Sequence, residues 1–423
     1  MKPSLPYDRK NQSLYIQRCM VVFACALMLL ALTQDTPMGI FRGVSQIILT
    51  RAGLITDSIM IGGLGGAFFN SGLVVLVSAG LLRAAKVPFS GISIACLFLM
   101  GGFSLFGKDI WNIFPIIGGG FLYSRYKREP FGKYIYISLF GTALAPVVTE
   151  LVSLGRMGPT LNYVWGMGMG VVIGFILPPI SAFTIRVHQG YNLYNVGFSA
   201  GLVGMVLASI FKSFGHTFEV RLEWSVGNNL LLGSFLVALF LLMLLLGFFW
   251  NGGSFLGLGK LMTHSGRTVS DFTQTEGLPV TLMNMGTVGL FATGYVLLSG
   301  GELNGPTIGG ILSICGFGAF GKHLKNIIPV MLGVVLSSFI MVWSLKDPNV
   351  QLAVLFSTGL APIAGQFGWK WGIVAGVIHA SVVLNVGFLH AGLNLYNNGF
   401  AAGLVCVVLV PLIEALQRRD EDI

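Results

Sequence analysis

The second half of this chain repeats the first half at a nearly constant spacing, so the fold must contain two similar units. Phe106-Gly107-Lys108 recurs as Phe320-Gly321-Lys322, at a shift of 214 residues (320 − 106). Further polar pairs are matched at shifts of 214, 216 or 202 residues: Asn70 and Asn284, Thr142 and Thr358, His188 and His390, Asn192 and Asn394, Tyr194 and Tyr396, and Asn195 and Asn397. Long internal repeats in an apolar chain are typical of transporters and channels, which bind their solutes between the halves.

The composition is that of an all-α polytopic membrane protein. Hydrophobic residues make up 54% of the 423 residues and charged residues only 10%, whereas a soluble domain averages about 25% charged residues. Basic cytoplasmic loops account for much of the net charge of +9, so we expect membrane lipid and no nucleic acid as a partner. The five cysteines have no CxxC spacing, and we expect neither a metal nor a cofactor.

Fourteen segments are candidates for crossing the membrane, because a spanning helix needs roughly 20 mostly apolar residues. Seven lie in each half and pair in order, near residues 16–33, 58–82, 88–106, 110–126, 134–154, 163–185 and 190–212, and near 229–250, 277–299, 303–320, 324–345, 351–366, 371–388 and 392–416. They define a first repeat at 1–212, a connecting loop at 213–228 and a second repeat at 229–423. Amphipathic stretches at 36–57 and 252–276 are typical of interfacial helices.

Seven crossings in each repeat is an odd number, which requires the two repeats to be inverted. With the N-terminus in the cytoplasm, the basic cluster Arg125-Tyr126-Lys127-Arg128 lies inside and the mixed charges of 213–228 lie outside. The positive-inside rule therefore places both termini in the cytoplasm, and we expect the bacterial inner membrane. Segments 88–106 and 303–320 are rich in Gly and Ser or Pro. The alternative for both is a re-entrant course, which would remove the inversion.

Four Asn-x-Gly elements, at Asn70, Asn195, Asn284 and Asn397, lie within or beside apolar segments. An unpaired amide in hydrocarbon costs several kcal/mol, so each asparagine must have partners. The neighbouring glycine can open a helix and free carbonyl groups for a solute. Either these asparagines line a substrate site, or they bind neighbouring helices together.

The richest polar cluster precedes the last segment of each half. Its residues present amide, imidazole and phenol groups without a permanent charge: His188, Asn192, Tyr194 and Asn195 in the first half, and His390, Asn394, Tyr396 and Asn397 in the second. Such a lining suits a small polar solute or a weakly held ion, and the histidines could relay protons. We expect Asn195 and Asn397 to lie near the two-fold axis, with the tyrosines and histidines beside a shared cavity. The alternative for each histidine is a structural cap at a helix start.

Three further kinds of candidate carry a charge or accompany a helix kink. Lys108 and Lys322 end matched segments; they would favour anions if they point inward, and the alternative is a role as interfacial anchors. Thr142 and Thr358 each lie four residues before a proline and can satisfy a carbonyl group that the proline frees. Glu150 is the best carboxylate candidate within a span, although its place near a helix end also suits solvation at the interface.

The paired segments Phe-Gly-Lys and Asn-Leu-Tyr-Asn-x-Gly-Phe resemble a bacterial family of multi-pass membrane proteins with a duplicated domain of unknown function. This resemblance covers nearly the whole chain and implies no particular activity. The stretches 193–198 and 395–400 are also similar to the Tyr-Asn-containing helices of urea transporters. The seven-plus-seven count is similar to the fold of nucleobase and anion transporters, whose third and tenth segments are broken at the substrate site. Segments 88–106 and 303–320 occupy those places.

We therefore expect a secondary transporter or channel for a small polar or anionic solute, with its site near the midplane between inverted repeats. A proton or a sodium ion could be coupled to the solute, and a homo-oligomer is the expected assembly. The alternative is a membrane scaffold, sensor or complex subunit that transports nothing. The chain has no Walker A sequence, no HExxH motif and no nucleophile elbow, so we do not expect an enzyme.

Overall fold

The structure, a computed structural model, describes residues 7–153, 158–218 and 221–421. Residues 1–6 and 422–423 at the ends of the predicted repeats, residue 154 of the segment predicted at 134–154, and residues 219–220 of the predicted connecting loop lie outside the described residues. The helices of the first repeat are α1 (Gln12–Gln34), α2 (Pro37–Leu49), α3 (Ser58–Ala84), α4 (Gly91–Phe103), α5 (Phe114–Lys127), α6 (Ile135–Gly141), α7 (Ala145–Ser153), α8 (Pro159–Val187) and α9 (Asn195–Ser213).

The second half has the helices α10 (Asn229–Trp250), α11 (Leu258–Leu261), α12 (Phe272–Thr275), α13 (Leu278–Leu298), α14 (Gly305–Phe317), α15 (Leu324–Ser337), α16 (Pro348–Ser357), α17 (Ala361–Phe367), α18 (Trp369–Val386) and α19 (Asn397–Glu421). Short 3-10 turns occur at Arg9–Asn11, Phe131–Lys133, Thr142–Leu144, Thr358–Leu360 and Gly387–His390. Two strands, β1 (Ile55–Thr56) and β2 (Leu222–Glu223), pair in parallel.

Ten apolar helices, counted over the described residues, are long enough to cross a membrane. Five belong to each repeat: Arg9–Gln34, Ser58–Ala84, Ile135–Ser153, Pro159–Val187 and Asn195–Ser213, then Asn229–Trp250, Leu278–Leu298, Pro348–Phe367, Trp369–His390 and Asn397–Gln417. In α10 only 33% of the most apolar stretch is buried inside the protein, so most of its leucines face outward, where only lipid tolerates them. The protein is therefore an all-α polytopic membrane protein.

The other four predicted segments contain short helices. Helices α4 and α14 have 13 residues, and α5 and α15 have 14. Each is therefore about 20 Å long, against a hydrocarbon thickness of about 30 Å. Because both members of each consecutive pair are short, α4–α5 and α14–α15 form hairpins that enter and leave at the same side. Each repeat keeps five crossings, an odd number. The re-entrant alternative considered only 88–106 and 303–320; because 110–126 and 324–345 also hold short helices, the number of crossings stays odd and the inversion is kept.

The short helices α4 and α14 lie side by side and run in opposite directions. A Cβ atom added to Gly91, at the start of α4, would lie 2.4 Å from the carbonyl oxygen of Ala319, just after α14. A Cβ atom added to Gly305, at the start of α14, would lie 2.1 Å from the carbonyl oxygen of Leu105, just after α4. Only glycine permits such close approaches. Since these equivalent helices are antiparallel, the two repeats are inverted, as predicted.

The last helices of the two repeats, α9 and α19, begin next to each other. A Cβ atom on Gly197 would lie 3.1 Å from the Cα atom of Gly399, and one on Gly399 would lie 3.0 Å from the Cα atom of Gly197. Each helix follows a non-helical segment, at 188–194 and 391–396. The two-fold axis that relates the inverted repeats therefore passes close to these glycines, at the centre of the protein.

Only one of the two predicted interfacial helices forms. In the stretch 36–57, Thr36 accepts a hydrogen bond from the main chain of Gly39 and starts α2, which packs closely on α3. The stretch 252–276 contains only the four-residue helices α11 and α12. Here the prediction is wrong, because glycines with positive φ, among them Gly257 at 94°, interrupt the chain where a helix would continue.

Inverted repeats predict that equivalent loops face opposite sides of the membrane. Lys127, before α6, and Lys346, before α16, are both exposed. We expect Lys127→Cys and Lys346→Cys, in a background without the five native cysteines, to react with a membrane-impermeant maleimide at opposite sides of intact cells. Both should react once the membrane is permeabilised. Labelling of both positions from the same side would exclude inversion.

Candidate functional site

Asn70 on α3 and Asn284 on α13 hold the turns that follow α4 and α14. Asn70 Nδ2 donates to the carbonyl oxygens of Ser104 and Lys108, both at 3.0 Å. Asn284 Nδ2 donates in the equivalent way to the carbonyl oxygen of Lys322, at 2.8 Å. Both amides are buried and bind main chain. These asparagines therefore bind neighbouring segments together rather than line a substrate site. Their hydrogen bonds fix the main chain at Lys108 and Lys322.

Lys108 and Lys322 reach the centre of the protein from opposite ends. Lys108 Nζ donates to the hydroxyl of Tyr396 at 2.6 Å, and Lys322 Nζ donates to the hydroxyl of Tyr194 at 2.5 Å. Both lysines are completely buried, which does not fit the interfacial-anchor alternative. Within the described residues, neither ammonium group is in a salt bridge, and the adjacent Asp109 accepts hydrogen bonds from main-chain N–H groups instead. Two lysine side chains without carboxylate partners are therefore concentrated here, and burying their charged forms is costly.

A layer of aromatic side chains surrounds the two ammonium groups. Lys108 Nζ lies 5.4 Å from the ring centre of Phe103 and 4.7 Å from that of Tyr396. Lys322 Nζ lies 5.1 Å from the ring centre of Phe317 and 4.5 Å from that of Tyr194. Each lysine thus contacts a phenylalanine of its own repeat and a tyrosine of the other, and cation–π attraction offsets part of the cost of burial. The layer consists of three repeat-related pairs: Phe103 and Phe317, Phe140 and Phe356, and Tyr194 and Tyr396.

Thr142 and Thr358 lie in equivalent 3-10 turns beside the two lysines, with different contacts. Thr358 Oγ1 accepts a hydrogen bond from Lys322 Nζ at 2.8 Å. Thr142 Oγ1 lies 3.6 Å from the sulfur of Met100, which Lys108 Nζ also approaches to 3.6 Å. A thioether is a weak acceptor. Lys108 is therefore less well satisfied than Lys322.

Two cavities reach the aromatic layer from opposite ends of α4 and α14. The Asp271 cavity, of about 450 Å³, includes Asp271 and Asn195 in its lining, and its mouth includes Val269, which is 78% exposed. The Arg221 cavity, of about 360 Å³, is lined in part by Arg221 and Asn397. A central space of about 10 Å³ lies between them, lined in part by Phe103, Tyr194, Phe356 and Tyr396. Two entrances thus converge on one narrow aromatic centre.

Asn195 and Asn397 line different cavities, one at each end, rather than a single shared one. Their amides are already bonded. Asn195 Oδ1 lies 2.8 Å from His188 Nε2, and Asn397 Oδ1 lies 2.9 Å from His390 Nε2. Asn195 Nδ2 also donates to the carbonyl oxygen of Ser181 at 3.0 Å. Each buried histidine thus fixes the side-chain amide at the start of α9 or α19, and this contact is structural but is not a cap on a main-chain N–H group.

Asn192 and Asn394 connect the two repeats directly. Asn192 Nδ2 donates to the carbonyl oxygen of Gly399 at 2.9 Å, and Asn394 Nδ2 donates to that of Gly197 at 3.2 Å. Both side chains are completely buried. These reciprocal bonds hold the starts of α9 and α19 together, so these two asparagines position the centre without lining it.

Glu150 lies apart from the central layer. Its carboxylate is buried and forms an ion pair with Arg51, with Oε1 2.5 Å from Nε. Arg51 belongs to the segment that joins α2 to β1. The structure therefore satisfies this intramembrane charge locally, and neither cavity includes Glu150 in its lining.

Two aspartates that the sequence analysis did not single out as site residues join the repeats. Asp57 Oδ1 accepts from the main-chain N–H of Ile59 at 2.9 Å and from that of Gly305, which starts α14, at 3.2 Å. Asp271 Oδ1 accepts from Thr273 N–H at 3.0 Å, while Oδ2 accepts from Gly91 N–H, at the start of α4, at 2.9 Å. Each aspartate therefore caps the short helix of the other repeat. Their spacing of 214 residues (271 − 57), the same as that of the lysines, was the available signal.

A sequence model of the family described as "Protein of unknown function (DUF1576)" matches residues 36–213 and 250–415. The chain belongs to the DUF1576 family. The two matched regions confirm the predicted membership of a family with a duplicated domain, and each DUF1576 region covers most of one structural repeat. No curated protein and no solved structure matches the chain significantly.

Because Asp57 caps a helix of the other repeat, its replacement should destabilise the protein more than replacement of an exposed helix cap. Asp57→Ala removes acceptors for the N–H groups of Ile59 and Gly305 and for Ser225. We expect the free energy of unfolding to fall by about 2–4 kcal/mol, because buried N–H groups lose a charged acceptor. The matched control is Asp347→Ala, at the exposed start of α16, which should cost about 1 kcal/mol or less. Thermal unfolding in detergent measures both, and equal losses would contradict a special role for Asp57.

Proposed function

We propose that this DUF1576 protein is a secondary transporter or channel that moves a small polar or anionic solute across the bacterial inner membrane. The observation that carries the proposal is the pair of cavities that approach one central layer from opposite ends. A passage that is used from both sides needs two entrances and a shared centre. Inverted repeats supply both, because the same groups line the path in the two orientations.

The central layer favours an anion. Lys108 and Lys322 bring two amino groups to it, and within the described part of the chain neither has a carboxylate partner, so in their protonated form they would attract a negative charge. Helices α9 and α19 also begin at this layer, and the start of a helix carries a partial positive charge. In a low-dielectric interior these charges attract an anion more strongly than they would in water.

The narrow centre supports a carrier that alternates between two open states. The central space measures about 10 Å³, too little for a solute, so the path is closed there. Tyr194 and Tyr396 line both the central space and the Asp271 cavity, whereas Phe356 lines both the central space and the Arg221 cavity. Small movements of these rings would open the centre to one cavity at a time.

The positive charges indicate the orientation. Arg83 and Lys86 end α3, and Lys127 and Arg128 end α5, on the side where Asp271 caps α4. Basic loops stay in the cytoplasm during insertion. We therefore place the Asp271 cavity at the cytoplasmic side and the loop at 213–228 outside, with both termini in the cytoplasm.

The scaffold or sensor alternative has one observation in its favour. The six matched asparagines at 70, 192, 195, 284, 394 and 397 all bind protein groups, as packing devices would. This alternative provides no reason for two unpaired buried lysines, since apolar residues of similar size would serve a purely structural centre as well or better.

Replacing the lysines separates transport from stability. We expect Lys108→Met and Lys322→Met to reduce anion flux into proteoliposomes by at least about tenfold, because the solute loses a buried charge partner. The melting temperature and folded yield should stay unchanged or rise, since an unpaired ammonium is no longer buried. The flux measurement should compare chloride, nitrate, acetate and urea as probes.

The matched control is Lys212→Met, at an exposed position of α9, which should leave flux within about twofold of the unmodified protein. Absence of flux for every probe in the unmodified protein would favour the scaffold or sensor alternative. A fall in folded yield equal to the fall in flux would assign the lysines a structural role instead.

A further inference from the structure

The two cavities differ in chemistry although the repeats that build them are equivalent. At three matched positions the Asp271 cavity has Ile185, Val196 and Ala182, where the Arg221 cavity has Gly387, Asn398 and Leu384. The Arg221 cavity also contains the polar residues Arg221, Asn349, Asn385 and Asn397. Inverted packing does not require this difference, so it reflects what each cavity holds.

The Asp271 cavity is a largely apolar chamber with a few polar groups. Its walls include Ile92, Leu99, Ile137, Phe140, Phe317 and Phe320. Its volume of about 450 Å³ falls in the range of sites for small organic ligands, about 300–1,000 Å³. The one carboxylate in the lining, Asp271, already accepts N–H groups at the starts of α4 and α12. An inorganic ion would leave these apolar walls without a partner.

The inner end of this chamber has a hydrogen-bond donor without an acceptor. Tyr194 and Tyr396 are equivalent, and each accepts a hydrogen bond from a lysine. The Tyr194 hydroxyl also pairs with Ser313 Oγ at 2.8 Å. The first repeat has Leu99 at the position of Ser313 (313 − 99 = 214), so the Tyr396 hydroxyl hydrogen meets no acceptor among the described residues. Tyr396 is 5% exposed and lines both the chamber and the central space.

We propose that the Asp271 cavity binds a monocarboxylate with an apolar body, whose carboxylate accepts a hydrogen bond from Tyr396 while its hydrocarbon part contacts the apolar walls. Lys108, behind Tyr396, polarises the hydroxyl and supplies the balancing charge. This inference rests on the proposed transport function and names its substrate class. The Tyr396 hydroxyl needs an acceptor, which a carboxylate supplies. The apolar walls need an apolar partner, which the hydrocarbon part of the ligand supplies.

Direct binding tests the substrate class without transport. The probes are hexanoate, acetate and hexanamide, added to the purified full chain in detergent, with the melting temperature as the readout. Hexanoate should bind at least about tenfold more tightly than acetate, because its additional methylene groups leave water. Hexanamide should bind at least about tenfold more weakly than hexanoate, because it lacks the charge. Equal affinity for hexanoate and acetate would overturn the proposal.

Two variants locate the ligand. Tyr396→Phe keeps the ring and removes the donor, and should raise the dissociation constant for hexanoate by about tenfold. The repeat-related Tyr194→Phe should raise it by a smaller factor, because the Tyr194 hydroxyl already has Ser313 Oγ as a second hydrogen-bond partner. An equal effect of both changes would overturn the role of Tyr396.

Ala182→Phe provides an independent test if the tyrosine variants fail to fold. Ala182 lies on the cavity wall, and the larger Leu384 occupies the equivalent position of the other repeat. The phenylalanine should occupy part of the space that the proposal gives to the hydrocarbon chain and reduce the preference for hexanoate over acetate at least about threefold. Unchanged hexanoate binding would overturn the proposal. Chloride or nitrate flux in a protein that shows no preference for hexanoate would leave the transport function standing and remove only this substrate class.

Discussion

The architecture depends on an exchange of helix caps between the two repeats. The first N–H groups of a helix have no partner within it, and lipid offers none. Asp57 of the first repeat binds the start of α14, and Asp271 of the second binds the start of α4. Neither short helix is complete without the other repeat, so the two halves fold as one unit. Their antiparallel contact then sets how far each lysine that follows reaches toward the centre.

The central layer concentrates a cost that a structural role does not explain. Two ammonium groups are buried among aromatic rings, and phenol hydroxyls and cation–π contacts offset only part of the lost hydration. Saturated asparagines elsewhere show that the protein can satisfy its buried polar groups where rigidity is the purpose. The two lysines differ from these asparagines in their surroundings. The groups around the lysines are neutral, and both cavities end beside them. Under the proposed function, an anion that enters either cavity is the partner that would complete them.

The odd number of crossings predicted the inversion, and the repeat spacing singled out matched polar residues as candidates, but the sequence did not show which of them meet at the centre: Asn195 and Asn397 line different cavities, and the phenylalanines of the central layer were not predicted. Lys108, Tyr396 and their counterparts could be named as candidates on the spacing alone. Spacing could not show that 88–106 and 110–126 are half-length helices. The turn between them contains the polar residues Lys108, Asp109 and Asn112, and in sequence such a break looks the same whether it joins two crossings or forms the tip of a hairpin. The roles of Asn70 and Asn284 were also beyond reach, because an amide that holds a turn and one that binds a solute have the same signature in sequence.

The side chains that differ between the two repeats around the central layer are as informative about the site as those that are the same. Lysine, tyrosine, threonine and phenylalanine are the same in both repeats at the centre, where the proposed solute would be held from either side. Their neighbours differ: Met100 and Leu99 occupy the positions of Ile314 and Ser313. These exchanges give the Tyr194 hydroxyl a second partner, Ser313, whereas the Tyr396 hydroxyl has only Lys108 among the residues that the structure describes. Under the proposed function, the symmetric backbone would give equal access from two sides, and a small number of unequal side chains around it would give the passage a preferred end at which to bind.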